Sequence, residues 1–314
     1  MSLESVAWFD DRSVHGHADD SIHALEYMRR QWKLPAGATP ARAKRRPLLT
    51  FTLLAHLRQS FSARRAQRGR DSAYRGPTIH IVSATRLAEK AFWETSQLGV
   101  SLRRAEFIMP MRHTIAFENH RGLAAVYNST LNGLDNNEAV VFVHDDVALY
   151  DFFLPHRVAD GLAQFDLIGV AGSVNPLADH AGWAVRLPLG QSNPTDALPD
   201  GYVLDVSGAV NHLSATHEFI SRFGPAPRRV ALLDGLFLAA RVSTLRRRKV
   251  RFDERFQFHF YDLDFCRTCV AHGLKIGTWP IALGHASRGG YTSPGWIAAV
   301  AEYRAKWGIT EPRL

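Results

Sequence analysis

The sequence predicts an α/β protein: a mixed, mainly parallel sheet flanked by helices, preceded by a basic helical N-terminal segment. From residue 78 onward short apolar, β-branched runs alternate with helical stretches, the pattern of a largely parallel sheet covered on both sides. With 46% hydrophobic and 22% charged residues over 314 positions, the chain is globular, which excludes disordered, collagen-like and repeat architectures. Charge then divides it. Residues 1–76 carry 14 Lys and Arg against 7 Asp and Glu, a net of +7; the whole chain is +8, so residues 77–314 stand at +1.

The boundary therefore falls between a segment at 1–76 and a main domain at 77–314. Within the first part, His23 to Trp32 reads as a short helix, broken by Pro35, Gly37 and Pro40. After Pro47, Leu49, Leu53, Leu54, Leu57 and Phe61 share one helical face, with Arg58, Arg64, Arg65 and Arg68 around and beyond it. Such a helix packs on the main domain or on a second subunit of a homo-oligomer. Alternatively, residues 42–70 lie on an anionic membrane surface, where each basic residue contributes about 1 kcal/mol. Nucleic acid is not the expected partner, because the charge is confined to one segment without interleaved aromatics.

In the main domain, Thr78 to Ala84 is a strand, and Leu87 to Leu98 a helix ending at Gly99. Residues 105–109 and 114–117 are weaker strands. Gly122 to Leu131 is helical, with Gly133 as its cap. Ala139 to Val143 is the strongest strand; a helix at about 155–163 and a strand at Leu167 to Ala171 follow. Residues 174–200, rich in Pro, Gly, Asp and Asn, form a long loop of the kind used as a lid or binding loop. Gly201 to Val206 and Val230 to Ala240 are strand-like, Phe260 opens a helix that ends at Gly273, and Leu274 to Trp279 and Ile281 to Gly284 are the last strands. Trp296 to Trp307 is a terminal helix.

Two cysteines cannot staple a fold of this size. Cys266 and Cys269, inside a helix and without a second pair for zinc, read as core packing. The opening residues lack a basic region followed by an apolar core, and no apolar stretch approaches the roughly 18 residues of a spanning helix. The expectation is a cytoplasmic protein, at most peripheral to the inner face of a membrane.

Three motifs carry chemistry. Phe142-Val-His-Asp-Asp-Val places His144, Asp145 and Asp146 at the carboxyl edge of a strand, where open α/β folds bind ligands. Oxygen ligands with imidazole suit Mn²⁺ or Mg²⁺ shared with phosphate oxygens, although an acidic turn after a strand is also common without a metal. In Tyr261-Asp-Leu-Asp, two carboxylates sit in the first helical turn. One satisfies the usual preference for acids there, and the other, Asp262 or Asp264, is free to act as a base. Gly284-His285, before a glycine-rich loop, offers a histidine able to reach a metal or phosphate.

In this order, Ile79-His-Ile-Val-Ser-Ala-Thr-Arg, Glu118-Asn-His-Arg-Gly-Leu-Ala-Ala and Val141-Phe-Val-His-Asp-Asp-Val resemble the nucleotide-sugar half of a family 2-like glycosyltransferase of GT-A fold. Leu233-Asp-Gly-Leu-Phe-Leu-Ala-Ala-Arg, Phe252-Asp-Glu-Arg-Phe and Tyr261-Asp-Leu-Asp-Phe are similar to its acceptor half, and the likeness covers residues 78 to about 310. The resemblance implies metal-dependent transfer of a sugar, with inversion, from a nucleotide-diphosphate donor to a glycan, lipid-linked or small-molecule acceptor. It implies that His144, Asp146 and His285 hold the metal. Ser83, Thr85, Arg86, Asn119, Arg121, Gly122 and Asp145 would then bind the nucleotide, and Asp234, Gly235 and Asp264 the acceptor, with Asp262 as the base. Two positions depart from the pattern. The first acid of Asp-x-Asp is His144, and the acid before the base is Tyr261. Without that acidic neighbour Asp262 is expected to ionise readily. A metal-dependent hydrolase, and a non-catalytic protein binding a nucleotide or a membrane surface, are the alternative readings.

Overall fold

The computed structural model describes Tyr74, residues 76–106, 111–176, Trp183, and residues 205–213, 218–286 and 294–309. The basic segment, with its proposed membrane contact at 42–70, lies outside the described residues, as does nearly all of the 174–200 loop. The remainder is mixed α/β, as expected. Its strands divide into two sheets rather than one.

The first sheet has seven strands. In chain order they are β1 (Thr78–Ala84), β2 (Met111–Ala116), β3 (Glu138–Val143), β5 (Leu167–Gly169), β9 (Arg228–Arg229), β11 (Phe237–Arg241) and β12 (Ile276–Thr278). They lie side by side in the order β2-β1-β3-β11-β5-β12-β9. β1 runs parallel to β2 and β3, whereas β11 is antiparallel to both β3 and β5. β3 is buried at every residue, which is why its sequence after Glu138 runs apolar from Ala139 to Val143 instead of alternating. The second sheet contains β4 (Val147–Leu149), β6 (Ala171–Ser173), β7 (Val206–Leu213), β10 (Leu232–Leu233) and β13 (Leu283–His285), with β8 (Glu218–Gly224) as a hairpin partner of β7.

Helices α1 (Glu89–Thr95), α2 (Gln97–Ala105), α3 (Leu123–Gly133), α4 (Leu154–Gln164), α5 (Val242–Arg247), α6 (Tyr261–Ala271) and α7 (Pro294–Trp307) complete the described elements. α3 packs on β1, α4 on β5 and β11, α5 on β3 and β11, and α6 on β10 and β12. The helix expected over 87–98 is instead two. Ser96 adopts extended backbone and its hydroxyl caps α2 by accepting from the Gly99 N–H, so Gly99 starts a helix rather than ending one. Gly133 closes the last turn of α3 from within the helix.

The chain passes between the sheets at six short corners: 144–146, Val170, 225–227, 230–231, 234–236 and 279–282. Two of these corners carry the predicted site residues. The architecture therefore gathers segments far apart in sequence at the seam between the sheets. No helix among the described residues is long and apolar enough to cross a membrane.

Candidate active site

β3 ends at Val143, and the chain turns through His144-Asp145-Asp146 into β4, which pairs antiparallel with β13 so that Val147 faces His285. The Ala286 N–H donates to the Asp146 carbonyl at 3.0 Å, fixing the same register. This pairing brings together residues about 140 apart in sequence. One donor atom each from His144, Asp146 and His285 lies within 4.8 Å of the others, the only such group of three metal-ligating side chains among the described residues. His285 Nε2 is 3.4 Å from Asp146 Oδ1, and His144 Nδ1 is 4.0 Å from it.

The donor set fits a divalent cation. Asp146 Oδ1 and His285 Nε2 are both buried and lack a partner in hydrogen-bonding geometry. Buried polar atoms are normally paired, so two orphans facing each other mark a place for a shared third atom. Two imidazoles and a carboxylate are ligands for Mn²⁺ and its neighbours more than for Mg²⁺, which favours oxygen. Electrostatics favour the ligating forms of His144 and Asp146, while on His285 they favour a proton that a cation would displace. Burial lowers the His144 pKa and favours the neutral ring. Burial alone would raise Asp146 and lower His285, but the attraction between the two groups 3.4 Å apart outweighs it, holding Asp146 below and His285 above their ordinary values.

Beside this group lies a cleft of about 200 Å³, lined by Thr85, Arg86, Asn119, Arg121, Gly122 and Asp145 among others. Six of the seven residues expected at the nucleotide thus share one surface, and Asp145 joins it to the His144–Asp146 turn. The cleft is held by backbone. Asn119 N–H donates to the Thr85 carbonyl at 2.8 Å, and the Asn119 side chain closes a turn on the Arg121 backbone. Gly122 begins α3, and a Cβ there would stand 2.8 Å from the Gln257 Cα, so the close approach of the two walls requires glycine. Ser83 is the exception. It is fully buried on β1 and does not line the cleft.

The second corner, Leu233-Asp234-Gly235-Leu236, meets the start of α6. Phe260, just before the helix, has φ of 63°, a left-handed conformation costly for a bulky side chain, and its ring packs on Tyr303 and Trp296. That turn sets Tyr261 and Asp262 toward the seam. The Gly235 N–H donates to Asp262 Oδ2 at 2.8 Å, while Asp234 accepts from the Leu236 N–H and from the Trp183 indole. Burial, followed by the negative charge of Asp234, pushes the Asp262 carboxyl up to about 7. The expectation of ready ionisation is overturned. The acidic neighbour missing from the adjacent position is supplied by Asp234, brought in by folding.

Asp264 is also reassigned. It is completely buried, 2.6 Å from Lys306 Nζ and 2.9 Å from the Trp307 indole nitrogen, so it ties α6 to α7 and cannot contact an acceptor. Cys266 and Cys269 are buried free thiols in the core. Three contributors escaped the sequence reading: Phe258, which lines the cleft and lies nearly parallel to the His144 ring; Gln257, whose carbonyl accepts from Leu123 N–H; and Trp183 on Asp234. Only Phe258 carried a signal, as an aromatic between polar residues.

No protein-family model matches the chain, and no curated protein matches it in sequence. Among solved structures, A197 from STIV is similar at 10% identity over 69% of this chain and 100% of that one, with a TM-score of 0.38. GalNAc-T7 with UDP, GalNAc and Mn²⁺ is similar at 13% identity over 74% of this chain and 49% of that one, with a TM-score of 0.41. At this level of likeness the functional assignment rests on the residues themselves.

Proposed function

We propose that the protein is a glycosyltransferase of family 2-like, GT-A type that moves a sugar from a nucleotide-diphosphate donor to an acceptor hydroxyl, with a divalent cation held by His144, Asp146 and His285. The observation that carries this reading is the single turn 144–146, which belongs to both the three-donor group and the arginine-bearing cleft. A diphosphate is the ligand class that needs both. Arg86 and Arg121 would contact phosphate oxygens, and Asp145 and Asn119 the nucleoside. When bound, the cation neutralises charge that develops on the departing diphosphate.

Asp262 is the base in this scheme. With its pKa near 7 it holds a proton weakly at neutral pH, and Gly235 N–H keeps one oxygen fixed while the side chain remains partly exposed. It would take the acceptor hydroxyl proton as the oxygen attacks the sugar from the face opposite the diphosphate, which gives inversion. Incubation with a panel of nucleotide sugars and Mn²⁺, with and without candidate acceptors, tests the proposal. Nucleoside diphosphate released only with acceptor supports it. Equal release to water supports a hydrolase, and binding without turnover a non-catalytic role.

A further inference from the structure

His144 and Tyr261 are the two positions at which the sequence departs from the pattern it resembles, and their side chains meet. His144 Nε2 lies 2.7 Å from the Tyr261 hydroxyl, and the same hydroxyl donates to the Gly235 carbonyl at 3.0 Å. A hydroxyl has one proton to give, and a carbonyl can only accept. With the proton on Gly235, the hydrogen between Tyr261 and His144 must come from the imidazole. Reversing the bond would leave the buried Gly235 carbonyl unpaired.

We propose that Tyr261 is a positioning residue that fixes His144 as its Nε2–H tautomer and turns the Nδ1 lone pair toward Asp146 and His285. The inference rests on reading those three residues as a metal site. A neutral imidazole ligates through its unprotonated nitrogen, and the partner of the other nitrogen decides which one that is. His144 Nδ1 already faces the Asp146 carboxylate at 4.0 Å. The opposite tautomer would present an N–H there, closing the position to a cation. The ring of Tyr261 is held independently by Tyr127 and Phe252, so the hydroxyl can be removed while the packing stays. Through Gly235 the same hydroxyl reaches the turn that binds Asp262, linking the metal ligands to the base.

The test is a pair of measurements on the full chain and its Tyr261→Phe and His144→Ala variants. Proton–nitrogen correlation spectra of nitrogen-15 histidine, recorded without metal at neutral pH, report the tautomer, and calorimetry with Mn²⁺ alone reports affinity. The wild-type protein should show His144 as a single Nε2–H form. Tyr261→Phe should show a mixture and bind Mn²⁺ about 10–100-fold more weakly, with His144→Ala weaker still. An Nδ1–H form in the wild type overturns the proposal even if Tyr261→Phe fails to fold. So does a Tyr261→Phe protein with unchanged tautomer and affinity; if His144→Ala then loses Mn²⁺, the metal reading survives alone. A wild-type protein that binds no Mn²⁺ removes the metal reading and this role together, and the metal-free spectrum separates that failure from the other.

Discussion

Asp262 accepts a hydrogen bond from the Gly235 N–H at 2.8 Å while the preceding residue, Asp234, repels its charge. Burial first and the Asp234 charge second make the carboxylate a stronger base, and the same turn orients it. Asp262→Asn keeps size and shape but cannot take a proton. Turnover should fall about 10²–10⁴-fold with donor affinity retained, read from kcat and from donor binding by calorimetry.

The raised pKa fixes the sign of two pH dependences. Activity through an ionised base should climb as pH rises through about 7 and level off above it. Stability should move the other way. Between its ordinary value of 3.8 and about 7, the folded protein keeps a proton that the unfolded chain has released. The stabilisation is complete at low pH and is lost as pH rises through that window. Asp262→Asn, neutral throughout, should therefore melt above the wild type at alkaline pH, with the gap closing under acid; melting curves across pH measure it.

Asp264 should behave differently. Its carboxylate is buried on Lys306 and Trp307, and Lys306 also reaches Asp253 at 2.7 Å. Asp264→Asn can retain the indole contact but not the charge pairing, so about 1–3 kcal/mol of stability should be lost. Activity per folded molecule should be nearly unchanged. Denaturant unfolding set beside turnover of the folded fraction separates the two effects.

The contrast between the two aspartates shows what the sequence could and could not convey. Both stand in the first turn of α6, and local spacing says only that one of them is available for chemistry. Which one depends on α7 and Asp234, reached through folding and not through spacing. β3 and the turn after it were legible because a buried strand writes the apolar run Ala139 to Val143. The β7–β8 hairpin was not, since β8 is largely exposed and β7 mixes buried with half-buried positions, which leaves little periodic signal. The break at Ser96 hid inside a stretch that is helical on both sides. Ser83 sat in the right motif, but its side chain turns into the core.

Gly122 tests the cleft wall. A methyl group there would meet Gln257 backbone, which cannot swing aside as a side-chain tip could. Gly122→Ala should cost about 1–3 kcal/mol and spread the cleft. Nucleoside diphosphate affinity should fall while Mn²⁺ affinity, carried by the other side of the turn, changes little. Thermal unfolding and two separate titrations check it.

A cation on His144, Asp146 and His285 and a diphosphate in the adjoining cleft should bind together. Calorimetric titration of nucleoside diphosphates into wild-type and Asp146→Ala protein, each with Mn²⁺ and with a chelator, tests it most directly. At least one nucleoside diphosphate should bind the wild type with Mn²⁺, and chelation or Asp146→Ala should abolish the binding. Binding that is indifferent to Mn²⁺, or unchanged Mn²⁺-dependent binding in Asp146→Ala, would contradict it.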